Sequence, residues 1–325
     1  MSVLLKVSTD CSGIDAPIHA LNRMNIPFKH VWSCEIEKKI LPLLHLNTNS
    51  EIFYDDMITR NYDTLPKTNI YITGFPCQPY SIANGQRKEL ISGSKVHDKA
   101  NIFDYCIKTI LSSNPEIFIL ENVKGLIMGK MKDTFNVMCK ELKDLEKYNI
   151  YWKLLSTKDY GIPQSRPRVY IIGIQKDVMK TEFKFPEPIP LNTTFRDYLN
   201  KNDNNSHKTI NDLAKLRIQN TNATDHIIDY HYLTHKNLAF YSNSRFKTDI
   251  IPCITKSTDF YYTKEERFLS GRELLNLQGF DETFQIPDNF SDRIVKQAAG
   301  NSMSINILQS IFKEIFNCID ISKLK

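Results

Sequence analysis

Through the first two-thirds of this 325-residue chain, short β-type runs alternate with helical periods, and the runs repeatedly end on a glycine or an acid. The runs are residues 4–7, 31–34, 69–73, 117–120, 151–155 and 169–174. Between the last runs, Phe135, Met138, Leu142 and Leu145 recur at helical spacing. Strand–helix alternation of this kind predicts an α/β fold with a mainly parallel sheet and helices on both faces. Ligands of such sheets collect beyond the carboxyl ends of the strands, so the strand-ending residues are the ones that carry chemistry.

The pattern breaks near residue 185, where Pro186, Pro188 and Pro190 follow in quick succession. A polar stretch with weak periodicity comes next, including an Asn-rich loop at 201–207. Order returns near Leu269, with helices expected over 272–277 and about 304–315. The expected organisation is a catalytic domain at 1–184, a second domain at 185–268 and a C-terminal segment, 269–325, that packs back onto the first.

Composition removes several alternatives. Seven cysteines, scattered and without a Cys-x-x-Cys pair, argue against a disulfide scaffold and against zinc-finger or zinc-deaminase chemistry, so no metal is expected. No apolar run approaches the ~20 residues of a membrane helix, and no signal-peptide pattern opens the chain. A soluble cytoplasmic protein is expected. A net charge of +5 permits a polyanionic partner without requiring one.

Four clusters sit at the strand ends. In Gly74-Phe75-Pro76-Cys77-Gln78-Pro79-Tyr80-Ser81 a cysteine follows a rigid turn beside a polar glutamine. A buried, inert thiol is the plain reading of a lone cysteine; a loop exposing it as a thiolate nucleophile is the other. Glu121-Asn122-Val123 ends a buried run, either as an acidic helix cap or as a carboxyl aimed at a ring nitrogen. Gln164-Ser165-Arg166-Pro167-Arg168 sets two arginines at i, i+2, a solvated pair or a clamp for a carbonyl, phosphate or carboxylate. The turn Ser12-Gly13-Ile14-Asp15-Ala16, with Asp15 as helix cap and Glu35 about 20 residues on, suits a nucleoside whose ribose hydroxyls meet the acid. Asp55-Asp56-Met57 is either a solvated turn or a carboxylate offered to an adenine amino group. The absence of Gly-x-Gly-x-x-Gly counts against a dinucleotide.

In this order, S-G-I-D-A, Glu35, Asp56, G-F-P-C-Q, E-N-V, Q-S-R-P-R, R-E-L-L-N-L-Q-G-F at 272–280 and G-N-S at 300–302 make the chain resemble the DNA (cytosine-5) methyltransferase family. The resemblance spans most of the chain except about 185–250, where that family has its variable target-recognition region, and the length is that of minimal prokaryotic, phage or viral members. It implies a Rossmann-like S-adenosylmethionine-dependent methyltransferase fold, releasing S-adenosylhomocysteine. It implies that Cys77 adds to C6 of a flipped cytosine, that Glu121 contacts N3 and the exocyclic amine, and that Arg168, supported by Arg166, holds O2 and the Glu121 carboxylate. It assigns Gly13, Ile14, Asp15, Glu35, Ile36, Asp56, Met57, Pro79, Asn301 and Ser302 to the cofactor. Pro76, Gln78, Ser81, Asn122 and Gln164 fall to the substrate, and 79–97, with Gly85, Ser92, Gly93 and Ser94, to a mobile loop closing over DNA. Double-stranded DNA is the implied partner of a monomer, with a cognate restriction endonuclease as a further one. Nucleoid association follows in a bacterium, and a nuclear location in a eukaryotic or viral setting.

The first turn departs from the family pattern: Cys11 replaces a phenylalanine and Asp15 a glycine, while Lys99-Ala100-Asn101-Ile102 matches an Arg-Gly-Asn-Leu element only loosely. Two other readings stand beside the main one. One is an RNA (tRNA) cytosine-5 methyltransferase, faintly suggested by Pro252-Cys253-Ile254-Thr255-Lys256, although that branch usually carries P-P-C-Q where this chain has F-P-C-Q. The other is a catalytically dead DNA-binding relative, against which Cys77, Glu121, Arg166 and Arg168 all speak. Arg196, Arg217, Arg245 and Lys247 are candidate DNA contacts, with solvated surface as the plainer reading of each.

Overall fold

A computed structural model describes residues 4–76, 102–200, 209–235 and 245–324. Two compact units emerge. The first comprises Met1–Leu155, Pro167–Glu187 and Ile307–Lys325; the second comprises Ser156–Arg166 and Pro188–Asn306. Residues 269–306 thus cluster with the second unit, and the chain returns to the first only from Ile307.

The first unit is built on a sheet that has seven strands among the described residues. They are β1 (Leu5–Asp10), β2 (Phe28–Cys34), β3 (Ile52–Tyr54), β4 (Ile70–Thr73), β5 (Ile117–Val123), β6 (Tyr148–Ser156) and β7 (Pro167–Gln175), in the order β3-β2-β1-β4-β5-β7-β6. Strands β1 to β5 pair in parallel, whereas β7 runs antiparallel to β5, with Glu121 opposite Tyr170 and Val123 opposite Arg168. The fold is a mainly parallel α/β sheet, as the strand–helix alternation predicts. The central strands read as continuous Ile, Phe and Leu runs because both faces are covered: Ile70, Tyr71, Ile72, Ile117, Phe118 and Ile119 are fully buried. Helices α1 (Ala16–Arg23), α2 (Leu41–Asn47), α3 (Ile102–Ser113) and α4 (Met131–Lys143) follow β1, β2, β4 and β5. On α4 the buried residues are Phe135, Met138, Cys139 and Leu142, the stripe its spacing predicts.

The reversal at β7 has a consequence for the site. Because β7 is antiparallel, its first residues lie at the same sheet edge as the last residues of β1, β2, β3, β4 and β5. Gly13, Glu35, Asp56, Pro76, Glu121 and Arg168 all flank that one edge, although 155 residues separate the first from the last.

The second unit contains a sheet of β8 (Ile227–Asp229), β9 (Phe260–Tyr262) and β10 (Arg267–Phe268), paired antiparallel. With α5 (Asp212–Thr221) and α6 (Tyr230–Thr234) it encloses a small core of Ala214, Ile228, Leu233, Phe246, Tyr261 and Phe268. Two further helices, α7 (Gly271–Asn276) and α8 (Asp292–Asn301), belong to this unit, and α9 (Ile305–Cys318) leads back to the first. Among the described residues no helix is long and apolar enough to cross a membrane.

Candidate active site

The first turn takes three left-handed steps: Cys11 at φ 49, Gly13 at φ 59 and Asp15 at φ 55. Asp15 thus holds a conformation in which glycine is free of strain and a residue with a Cβ is not, although Asp tolerates it better than most. Its carboxylate compensates. Thr9 Oγ1 donates to one oxygen at 2.6 Å, Thr48 Oγ1 to the other at 3.2 Å, and His30 Nε2 lies 3.9 Å away. Asp15 occupies the N-cap position of α1, yet its side chain makes no cap hydrogen bond and is fully buried. This corrects the expectation of a capping side chain: Asp15 is a lock for the turn. Burial pushes its carboxyl above the usual range, with His30, Thr9 and Thr48 pulling the other way. Asp15→Ala, which keeps a Cβ and loses both hydroxyl partners, is expected to be less stable than Asp15→Gly by about 1 kcal/mol in urea denaturation, because only the alanine is strained at this φ. Equal stabilities would show that the backbone relaxes.

Above this lock the turn is open. A Cβ built on Gly13 would meet nothing within 4 Å. Gly13 N donates to Glu35 Oε2 and Glu37 N to Glu35 Oε1, both at 2.8 Å, so the acid that ends β2 is held from two sides. Burial raises the Glu35 carboxyl, opposed by those two backbone donors. Ile36 is 68% exposed, an apolar face beside that carboxylate. Asp56, half-buried, accepts from Ile58 N at 2.8 Å. An open glycine, an anchored carboxylate, an exposed apolar face and a further carboxylate fit an adenosyl group. Ile14 and Met57, by contrast, are buried, and Met57 contributes its carbonyl to Tyr62 Oη at 2.6 Å.

At the centre of the edge, β4 leads through Gly74, Phe75 and Pro76 toward Cys77. Phe75 is buried and lies 6.0 Å, centroid to centroid, from Phe103. From the neighbouring strand β5, Asn122 Nδ2 donates to the Phe75 carbonyl at 3.2 Å, so Asn122 tethers the segment that precedes the cysteine. Cys77, Gln78, Pro79 and Ser81 lie outside the described residues, as do the rest of 79–97 and Lys99 to Asn101. Beside the tether, Glu121 is 8% exposed and its Oε1 lies 3.1 Å from Arg168 Nε. Carboxylate and guanidinium therefore meet, as the family resemblance implied. Burial chiefly pushes up the thiols of Cys11, Cys34, Cys106, Cys139 and Cys318 in the first unit.

Arg166 does not join Arg168. It precedes the first residue of β7, so strand alternation does not apply to it. Arg166 is 2% exposed, and within the second unit its guanidinium donates to the carbonyls of Ile254 (2.5 Å), Gly300 (3.2 Å) and Ser302 (2.6 Å). Gln164 behaves likewise: its amide donates to Leu277 O at 2.8 Å and accepts from Ile254 N at 3.1 Å. Gln278 Nε2 closes the knot on Ala299 O at 2.7 Å. Gly300 is required by close approach, since a Cβ there would stand 2.2 Å from Thr255 O. Q-S-R, L-Q-G-F and G-N-S are thus three parts of one buried hydrogen-bond knot, a signal that sequence spacing alone could not assemble. Asn301 is exposed at the end of α8, and Ser302 Oγ bonds the Met303 carbonyl at 3.1 Å.

Two of the candidate DNA contacts are engaged elsewhere. Arg217 is buried and donates to the carbonyls of Tyr232, Leu233 and His235, and Arg196 pairs with Asp225 (3.0 Å) and Asp249 (3.3 Å). Arg245 is exposed over the Tyr232 ring, and Lys247 is exposed. Among the described residues no group of three or more His, Cys, Asp or Glu is placed to hold a metal ion.

These features place the molecule among the methyltransferases that use S-adenosylmethionine. The chain belongs to the C-5 cytosine-specific DNA methylase family, whose model matches residues 9–317. It is 30% identical over 300 residues to the type II methyltransferase M.HaeII of Haemophilus aegyptius, covering 91% of this chain and 89% of that one. It is 28% identical over 317 residues to the type II methyltransferase M.Bsp6I of Bacillus sp. (strain RFL6), covering 89% and 91%. Among solved structures, a putative DNA modification methyltransferase encoded within an E. coli prophage superposes with a TM-score of 0.66 at 17% identity, covering 97% of this chain and 99% of that one. The S. pombe Dnmt2 methyltransferase superposes at 0.65 with 18% identity, covering 96% and 98%. The protein is a DNA cytosine-5 methyltransferase.

Proposed function

We propose that Cys77 is the nucleophile of this reaction and that the cytosine is swung out of its duplex to reach it. The observation that carries this reading is the buried Glu121–Arg168 pair on β5 and β7, one strand from the β4 segment that Asn122 tethers just before Cys77. Cytosine C5 is a poor nucleophile while the ring is aromatic. The Cys77 thiolate adds to C6, which pushes electron density to C5. Glu121 meets N3 and the exocyclic amine, while Arg168 holds O2 and the carboxylate. After C5 is methylated, loss of its proton lets Cys77 leave by β-elimination and restores the double bond. The C5 atom is unreachable inside a duplex, which is why the base must be extruded.

Gly13, Glu35, Ile36 and Asp56 would hold S-adenosylmethionine, whose sulfonium supplies the electrophilic methyl group. Gly13 opens the approach, Glu35 binds ribose hydroxyls, Ile36 covers the adenine and Asp56 accepts its amino group. Arg166 and Gln164 act as braces within the second unit. Tritium transfer from labelled S-adenosylmethionine to duplex DNA, run beside total tRNA, tests the substrate; preferential labelling of tRNA would overturn the DNA reading. Bisulfite sequencing of DNA from an expressing host would then give the recognition sequence that a cognate endonuclease, on this reading, also cuts.

A cleft of about 620 Å³ in the second unit supports a polyanionic substrate. It is lined by His231, Lys256, Ser257, Arg293 and Lys296, with Asp259 bonded to Lys296 Nζ at 2.9 Å. Its rim, the turn at Thr255 to Thr258, is braced from behind by Arg166 and Gly300. If DNA phosphates lie here, Lys256→Ala/Arg293→Ala is expected to reduce the slope of log affinity against log salt by about 2, since each lost phosphate contact removes about one unit. An unchanged slope would place the DNA backbone elsewhere.

A further inference from the structure

Beneath the first turn lies a buried ion pair for which the methyl-transfer chemistry has no use. Asp10, the last residue of β1, is fully buried in the middle of the sheet. Arg60 arrives from the turn after β3, just beyond Asp56 and Met57. Its Nη1 and Nη2 donate to the two oxygens of Asp10, each at 2.6 Å, and Nη2 also donates to Thr109 Oγ1. Tyr71 Oη and Trp32 Nε1 donate to the same carboxylate at 2.9 and 3.2 Å. The rings of Tyr62, Tyr54 and Trp32 surround the guanidinium, with centroids 5.0, 5.5 and 5.7 Å away.

We propose that Asp10 and Arg60 are positioning residues for the cofactor: their forked ion pair locks the adenine-side turn at Asp56 and Met57 onto the end of β1 and thereby sets the far wall of the pocket. This rests on the cofactor reading given above. A carboxylate buried at mid-sheet needs its cation, and Arg60 reaches it only when the turn closes against the sheet. Pair formation and turn position are therefore one event. A two-point fork inside a cage of rings defines orientation as well as distance, which a single ammonium cannot do. Stability alone is a poor reason for the pair, because apolar side chains of similar volume commonly serve a core as well or better. Tyr62 carries the constraint onward, since it flanks the guanidinium and its hydroxyl holds the Met57 carbonyl. The neighbouring position makes such a device useful. Cys11 stands where the family often has a phenylalanine, and its Sγ meets Met57 Sδ at 3.9 Å, so a small thiol replaces a ring as packing for that wall.

The test separates aim from stability. The apolar double variant Asp10→Leu/Arg60→Met removes both charges, and Arg60→Lys keeps the charge without the fork. For each, thermal midpoint without cofactor, calorimetric Kd for S-adenosylhomocysteine in the absence of DNA, KM for S-adenosylmethionine and kcat are measured. The expected result is a folded protein whose Kd and KM rise together at least tenfold while kcat at saturating cofactor stays within about twofold. Arg60→Lys supplies the same readings should the double variant not fold. Overturning results are a folded variant with Kd within twofold of the unaltered chain, or a fall in kcat with KM unchanged. Failure of the unaltered chain to bind S-adenosylhomocysteine would instead sink the cofactor reading on which the proposal rests.

Discussion

Cys77→Ala is expected to abolish methyl transfer, with a loss of at least about 10⁴-fold in kcat and little change in affinity for S-adenosylhomocysteine. The large effect follows from the chemistry. Without a sulfur nucleophile nothing breaks the aromaticity of cytosine, and C5 does not attack the methyl donor at a useful rate. Cys77→Ser should retain little more, since an alcohol with an ordinary pKa is scarcely ionised near neutrality. Duplex DNA carrying 5-fluorocytosine at the target position offers the positive control. Fluorine at C5 cannot leave as a proton does, so elimination stops and the adduct should persist through denaturing electrophoresis. Substantial transfer by the alanine variant, or no trapped species with active protein, would refute the covalent route.

The second large effect concerns the Glu121–Arg168 pair. Glu121→Gln keeps the shape and removes the charge, and kcat is expected to fall about 10²–10⁴-fold with KM for S-adenosylmethionine unchanged. Arg168→Ala should lose activity and stability together. It takes the guanidinium from a carboxylate only 8% exposed and 3.1 Å from it, a change on the order of 3 kcal/mol. The double variant Glu121→Gln/Arg168→Met should recover most of the urea midpoint and none of the activity. Recovery of activity in that variant would mean that the pair holds the strand ends together and takes no part in the reaction.

Much of the first unit is legible in the sequence. Residues 4–7, 31–34, 69–73, 117–120, 151–155 and 169–174 all fall within or beside observed strands, because buried parallel strands demand uninterrupted apolar runs that few other structures tolerate. The helix expected over 304–315 is α9, Ile305–Cys318, and that over 272–277 is α7, Gly271–Asn276. The second unit was opaque for a physical reason. Its strands are two or three residues long and its core is largely aromatic, so no period extends far enough to register.

Side-chain direction divided the site more finely. The residue types at the strand ends followed from order and spacing, including the carboxylate at 121 and the guanidinium at 168. Sequence spacing also paired Arg166 with Arg168, and there it misled, because Pro167 opens β7 and leaves Arg166 outside the alternation. Asp15 misled similarly: a cap by position, it is a lock by geometry, since a left-handed φ turns its carboxylate toward Thr9 and Thr48. Asp10 and Arg60, 50 residues apart in unremarkable surroundings, gave no sign of each other.

What the linear order determined here was a set of reactive groups and the strands that end beside them, because apolar continuity and turn chemistry act over a few neighbouring residues. The tertiary structure decided which of those groups face each other. The antiparallel course of β7 carries Arg168 to Glu121, and the turn after β3 brings Arg60 to Asp10. Such meetings depend on strand direction and on the burial of charge, both of which are properties of the packed sheet.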